Sequence, residues 1–153
     1  MEGLIYLGWT IWHVICLLKR EMETPAKEQD RAGVLVYVPE ADSRGHELNQ
    51  LLSRVISVEE IEVNITLDSL IDNLQNPGRF RKTCIFVMAR KRDLSLLLKL
   101  RSLLTGLRLI LILPDHSEST VAMAHRLHPR FLSYIDSNLG PVVSVVQRLI
   151  ASA

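Results

Sequence analysis

From residue 32 onward the chain alternates between two hydrophobic periods. Five short runs read as strands: GVLVYVP (33–39), EIEVNIT (60–66), TCIFVMA (83–89), RLILILP (108–114) and FLSYID (131–136). The first, third and fourth are nearly continuous in apolar residues, as parallel strands covered on both faces must be. The second alternates, with Ile61, Val63 and Ile65 set against Glu60, Glu62 and Asn64, which suits an edge strand. Between the runs the period lengthens to that of a helix. Leu48, Leu51, Leu52, Val55 and Ile56 form one stripe; Leu67, Leu70, Ile71 and Leu74 form a second, stopped by Asn76-Pro77-Gly78. Leu94, Leu97, Leu98, Arg101 and Leu104 place a third helix, with Asp93 as its N-cap and Gly106 closing it. A fourth spans about 117–127 and stops before His128-Pro129. The last starts near Pro141 and buries Val142, Val145, Val146, Leu149 and Ile150.

Strict alternation with short loops predicts an α/β fold, a doubly wound five-stranded parallel sheet of (βα)5 type. Right-handed crossovers leave few topologies, and five units in this length fit the order 2-1-3-4-5. The domain is expected to span residues 32–153. Residues 1–31 stand apart as an apolar segment, GLIYLGWTIWHVICLL (3–18), followed by a polar linker. Sixteen helical residues would span roughly 24 Å, short of a bilayer core of about 30 Å. Three readings stay open: a short membrane anchor with the domain in the cytoplasm, a helix packed on the domain or on a partner, and a mis-called start, with translation beginning at Met22. Only through residues 3–18 is a membrane contact expected.

The composition of the 153 residues is that of a globular chain, 48% hydrophobic and 23% charged, with so few aromatics (5%) that the core must be aliphatic. The net charge of +1 points to no nucleic-acid partner. Charge is nonetheless unevenly spread. Residues 32–78 carry two basic and eight acidic side chains, while residues 79–108 carry nine basic ones against Asp93 alone. Such polarity steers partners or makes two solvated faces. Two cysteines, Cys16 and Cys84, are too few for a disulfide framework, which fits a cytoplasmic setting.

In sheets of this kind ligands bind beyond the carboxyl ends of the strands. Those loops read Pro39-Glu40-Ala41-Asp42, Thr66-Leu67-Asp68, Ala89-Arg90-Lys91-Arg92-Asp93, Pro114-Asp115-His116-Ser117 and Asp136-Ser137-Asn138. In unit count, loop lengths and helix placement the span from Ala32 on resembles the receiver domain of two-component response regulators. The resemblance implies acidic metal ligands after the first strand, a phosphoacceptor aspartate ending the third, a hydroxyl after the fourth and a lysine after the fifth. Here Glu40 and Asp42 stand for the acidic pair, Ala89 for the acceptor, Leu113 or Pro114 for the hydroxyl residue and Asp136 for the lysine. The chemistry needs a carboxylate nucleophile and a cation on the phosphoryl oxygens. Neither is in place, so no catalytic residue, metal site or cofactor is expected.

The remaining candidates are weighed on the same loops. Arg90, Lys91 and Arg92 are expected to neutralise Glu40 and Asp42 in place of a metal, to bind an anion, or to be solvated. Asp115, His116 and Ser117 are too close in sequence to assemble a triad. His125 and His128 make no convincing metal pair, and Cys84 reads as a core residue. No glycine-rich phosphate loop or HExxH motif occurs. The leading functional expectation is a pseudo-receiver that works without phosphorylation, a binding module and not an enzyme. It would dock to another protein or to itself, with a homodimer formed through the last two helices, where apolar residues crowd Val121–Ile150. The alternative is a small-molecule or anion sensor using the basic loop 90–92. The crevice residues singled out are Glu40, Asp42, Arg90, Lys91, Arg92, Asp115, His116 and Asp136.

Overall fold

The computed structural model describes residues 33–39, 43–76, 83–88 and 90–152. Five strands, β1 (Val34–Tyr37), β2 (Ile61–Asn64), β3 (Thr83–Val87), β4 (Arg108–Leu113) and β5 (Phe131–Tyr134), alternate with five α-helices. These are α1 (Ser43–Ser53), α2 (Leu67–Gln75), α3 (Lys91–Lys99), α4 (Glu118–His125) and α5 (Gly140–Ala151), with a short 3-10 turn at Val58–Glu60. All strand pairs are parallel and the order is β2-β1-β3-β4-β5, as the alternation of periods predicts.

The continuous apolar runs have a direct structural consequence. Alternate residues of β1, β3 and β4 enter two different cores. Val34, Val36, Ile85, Val87, Ile110 and Ile112 pack with Leu48 and Leu52 of α1 and Val142 and Val146 of α5. Leu35, Tyr37, Cys84, Phe86, Leu109 and Leu111 pack on the other face with Leu70 of α2, Leu94 and Leu97 of α3, and Ala124 of α4. Most of these side chains are fully buried, each worth about 1.5–3 kcal/mol relative to exposure. The burial also pushes the Cys84 thiol up to about 12, which leaves it inert at neutral pH.

Two local expectations need correction. Asp93 is not the N-cap of α3 but the third residue of the helix: Arg90 is the cap residue, and the Asp93 carboxylate accepts the Arg90 backbone N–H at 3.0 Å. The helix starts earlier because this back-reaching carboxylate satisfies the first orphan donor. The helix also ends at Lys99 rather than near Leu104. The rest of the apolar stripe continues as tight turns, in which Leu103 N–H donates to Leu100 and Leu104 N–H to Arg101, up to Gly106 at φ +83°.

The alternation in β2 sorts differently from its hydrophobicity. β2 is an edge strand, yet Val63 and Ile65 are exposed (43% and 64%) and Asn64 is buried. Ile61 packs against the α1/α5 core, and Val63 and Ile65 follow it on the same face by the two-residue period. The helices of that face cover its centre and leave the outer margin open. Asn64 points to the opposite face, where its Oδ1 accepts from Ser69 Oγ and, at 2.8 Å, from Asn73 Nδ2 of α2.

Gly45 of α1 packs close against Val38, just past β1. A Cβ there would lie 2.5 Å from Val38 Cγ1, a buried branched side chain with little room to give. Gly45→Ala is therefore expected to destabilise the domain by about 1–3 kcal/mol through overpacking. Urea denaturation should show a lower midpoint with an unchanged slope.

Candidate functional site

The loops after β4 and β5 are held together by side chains. At the end of β4, the backbone N–H of Ser117 donates to Asp115 Oδ1 at 2.8 Å, an Asx turn that sets the entry to α4. Ser117 is the N-cap of that helix: its Oγ accepts the Thr120 N–H at 3.3 Å and donates to Thr120 Oγ1 at 2.7 Å. The nearby Ser117 hydroxyl, the hydrogen bond from the Ser117 N–H and the nearby Thr120 hydroxyl, helped by the positive charge of Lys91, hold the Asp115 carboxyl below the usual carboxylate range. Lys91, in the first turn of α3, donates to Ser119 Oγ and so ties α3 to α4.

His116 turns the other way. Its Nε2 lies 3.0 Å from Asp136 Oδ1, beyond β5, and its ring stacks on Tyr134 with centroids 3.7 Å apart and planes 20° from parallel. This latch joins the ends of β4 and β5 through exposed groups and adds little to stability. It also turns His116 away from Asp115 and Ser117, which bond each other, so the three neighbours in sequence form no triad. At the end of β1, burial and then the Asp93 carboxylate raise the Tyr37 phenol above its ordinary value.

From the sequence-derived set the structure thus pairs His116 with Asp136 and places Lys91 within electrostatic reach of Asp115, as two separate groups. Arg90 and Arg92 are exposed at the start of α3. Glu40 and Asp42 lie outside the described residues, as does Ala89, so the expected pairing of the basic loop with that acidic pair falls outside them too. Ser119, Thr120 and Tyr134 were not anticipated. The spacing in Asp115-His116-Ser117 followed by Thr120 carries the signal for the Asx turn and cap; nothing in the sequence signals the stacking on Tyr134. Among the described residues no group of three His, Cys, Asp or Glu side chains is placed to hold a metal ion. No described helix is long and apolar enough to cross a membrane, and residues 3–18 lie outside the described set.

The apolar residues of Val121–Ile150 serve mainly the two cores: Ala124, Val142, Val143 and Val146 are buried. The exposed large hydrophobic side chains among the described residues are elsewhere, at Val55, Val58, Val63 and Ile65 beside and within β2.

No protein-family profile and no curated relative matches this sequence. Among solved structures it is similar to a crystal structure of a protein from Burkholderia pseudomallei described as pilus assembly-related. The two are 19% identical with a TM-score of 0.62, over 82% of this chain and 93% of the other. At that identity the likeness is one of fold: a doubly wound domain with five parallel strands.

Two outcomes are expected at this end of the sheet. Ser117→Ala removes the cap and should cost about 1 kcal/mol. It should also raise the Asp115 titration midpoint, read by NMR of the carboxyl carbon. Because the folded-state value is depressed, the contribution of Asp115 is present at neutral pH and is lost as the pH falls through that value. The stability difference between wild type and Ser117→Ala should accordingly shrink in acid. In the folded protein the Cys84 peptide should resist alkylation at pH 8 and react only after denaturation, as peptide mass mapping would show.

Proposed function

We propose that this chain is a pseudo-receiver, a receiver-like signalling module that acts by docking to another protein without phosphorylation and without catalysing a reaction. The observation that carries the reading is the His116–Asp136 latch. Where the receiver resemblance calls for a lysine to hold phosphoryl oxygens, a carboxylate stands instead, and it is engaged with a histidine from the neighbouring loop. Asp115 and Ser117 are likewise committed to capping α4, and Lys91 to Ser119. With alanine at the acceptor position and Asp136 at the lysine position, both the nucleophile and the cation after β5 that the resemblance calls for are replaced.

The apolar flank of β2 favours a protein partner. Val58 and Ile65 are among the most exposed large apolar side chains, and Glu59, Glu60 and Glu62 lie between them in sequence. A partner surface mixing apolar and basic side chains matches this chemistry. Docking through α4 and α5, including a homodimer, is the competing arrangement. The pilus assembly-related description of the fold neighbour accords with work inside a protein assembly. A cytoplasmic setting is part of the same reading.

Incubation with acetyl phosphate and Mg2+, followed by intact-mass measurement, should leave the mass unchanged. A stoichiometric phosphoryl adduct that is labile to base would overturn the reading.

A further inference from the structure

At the end of the sheet opposite the latch, the turns that follow α3 and α4 border a half-open cavity of about 390 Å3, within the size range of small-molecule sites. Its lining falls into two parts. Leu104 and Leu127, both buried, and the half-buried Leu107 make an apolar floor. Arg101, Arg126 and His128 stand around it with the hydroxyl residues Ser102 and Thr105. No aspartate or glutamate lines the cavity.

The positive charge here exceeds what the helix ends call for. A cation in the last turn complements the helix dipole, and α3 and α4 already carry Lys99 and His125 there. Arg101 lies two residues past the end of α3, Arg126 is the C-cap of α4, and His128 lies beyond it. Two guanidinium groups and an imidazole thus border one cavity whose lining holds no carboxylate to pair with them. The backbone fixes where the imidazole sits. His128, at φ 51°, is the left-handed non-glycine residue among those described; its N–H donates to the His125 carbonyl at 3.0 Å and closes the turns that end α4 beside the cavity.

We propose that this cavity binds a nucleotide-sized organic phosphate. Its flat or apolar body rests on Leu104, Leu107 and Leu127, and its phosphate lies among Arg101, Arg126 and His128. Guanidinium forks match phosphate oxygens two at a time, which favours phosphate over a point-like anion. The leucine floor favours an organic body over the bare ion. A bound ligand would bridge the ends of α3 and α4, two helices on one face of the sheet, and so give a docking module an input from a soluble compound. This site does not depend on the pseudo-receiver reading, because it lies at the other end of the strands.

Isothermal titration calorimetry with ADP, GDP and inorganic pyrophosphate tests it on four proteins: wild type, Arg101→Ala/Arg126→Ala, His128→Gln, and Arg54→Ala/Arg148→Ala. At least one nucleotide should bind the wild type, at least about tenfold more tightly than pyrophosphate does, and more weakly as salt rises. Both cavity variants should lose about tenfold or more in affinity, the scale of one charge-assisted hydrogen bond. The Arg54→Ala/Arg148→Ala protein, which loses as much charge outside the cavity, should bind as the wild type does. All substituted positions are exposed; circular dichroism confirms the folding of each variant, and two cavity variants with no substitution in common guard against loss of one. Failure of both nucleotides to bind at millimolar concentration overturns the proposal. So does binding that both cavity variants retain, or binding that Arg54→Ala/Arg148→Ala abolishes.

Discussion

Three adjacent strands, β1, β3 and β4, are buried on both faces, and most of the molecule follows from that constraint. A strand in this position can satisfy its backbone groups only through its neighbours, so the sheet must be continuous across all three. Both sets of side chains must leave water, so helices are needed above and below, and parallel crossovers deliver them. Polar chemistry is then confined to the two ends of the strands. The functional candidates lie at one end, where the loops after β4 and β5 meet, and at the other, where α3 and α4 finish.

Because the fold is dictated by this burial, it was legible in the sequence. The runs at 33–39, 83–89 and 108–114 carry so few polar residues that half-exposed strands were excluded, and strand order followed from alternation and handedness. Legibility failed where hydrogen bonds outweigh hydrophobicity. Asp93 was misplaced within its helix because a carboxylate can satisfy a helix start either from the cap position or by reaching back from inside the first turn. The end of α3 was overestimated because a leucine stripe persists through tight turns that no longer have helical bonding.

The candidate site was legible residue by residue and not as an arrangement. Sequence position gave the right loops, since the topology fixes which segments share a strand end. It gave no partners, because the pairing of His116 with Asp136 joins residues 20 apart and depends on how two loops lean. The uneven charge along the chain was visible from the start. The structure gives it a location, with acidic residues around the β2 edge and Arg101 at the far end of α3.

Asn64 has a further consequence for how β2 is aligned. Hydrophobicity alone would favour β2 shifted by one residue, which would turn Val63 toward α2 and away from solvent. What opposes the shift is the pair of hydrogen bonds that Asn64 Oδ1 receives from Ser69 and Asn73. Its Nδ2 is buried without a partner among the described residues, so the same side chain carries a desolvation cost. The strand's registry therefore rests on one amide that trades stability for a unique alignment. Replacement by leucine would keep the bulk and remove the reason for choosing between two pairings, leaving an edge strand free to exist in both.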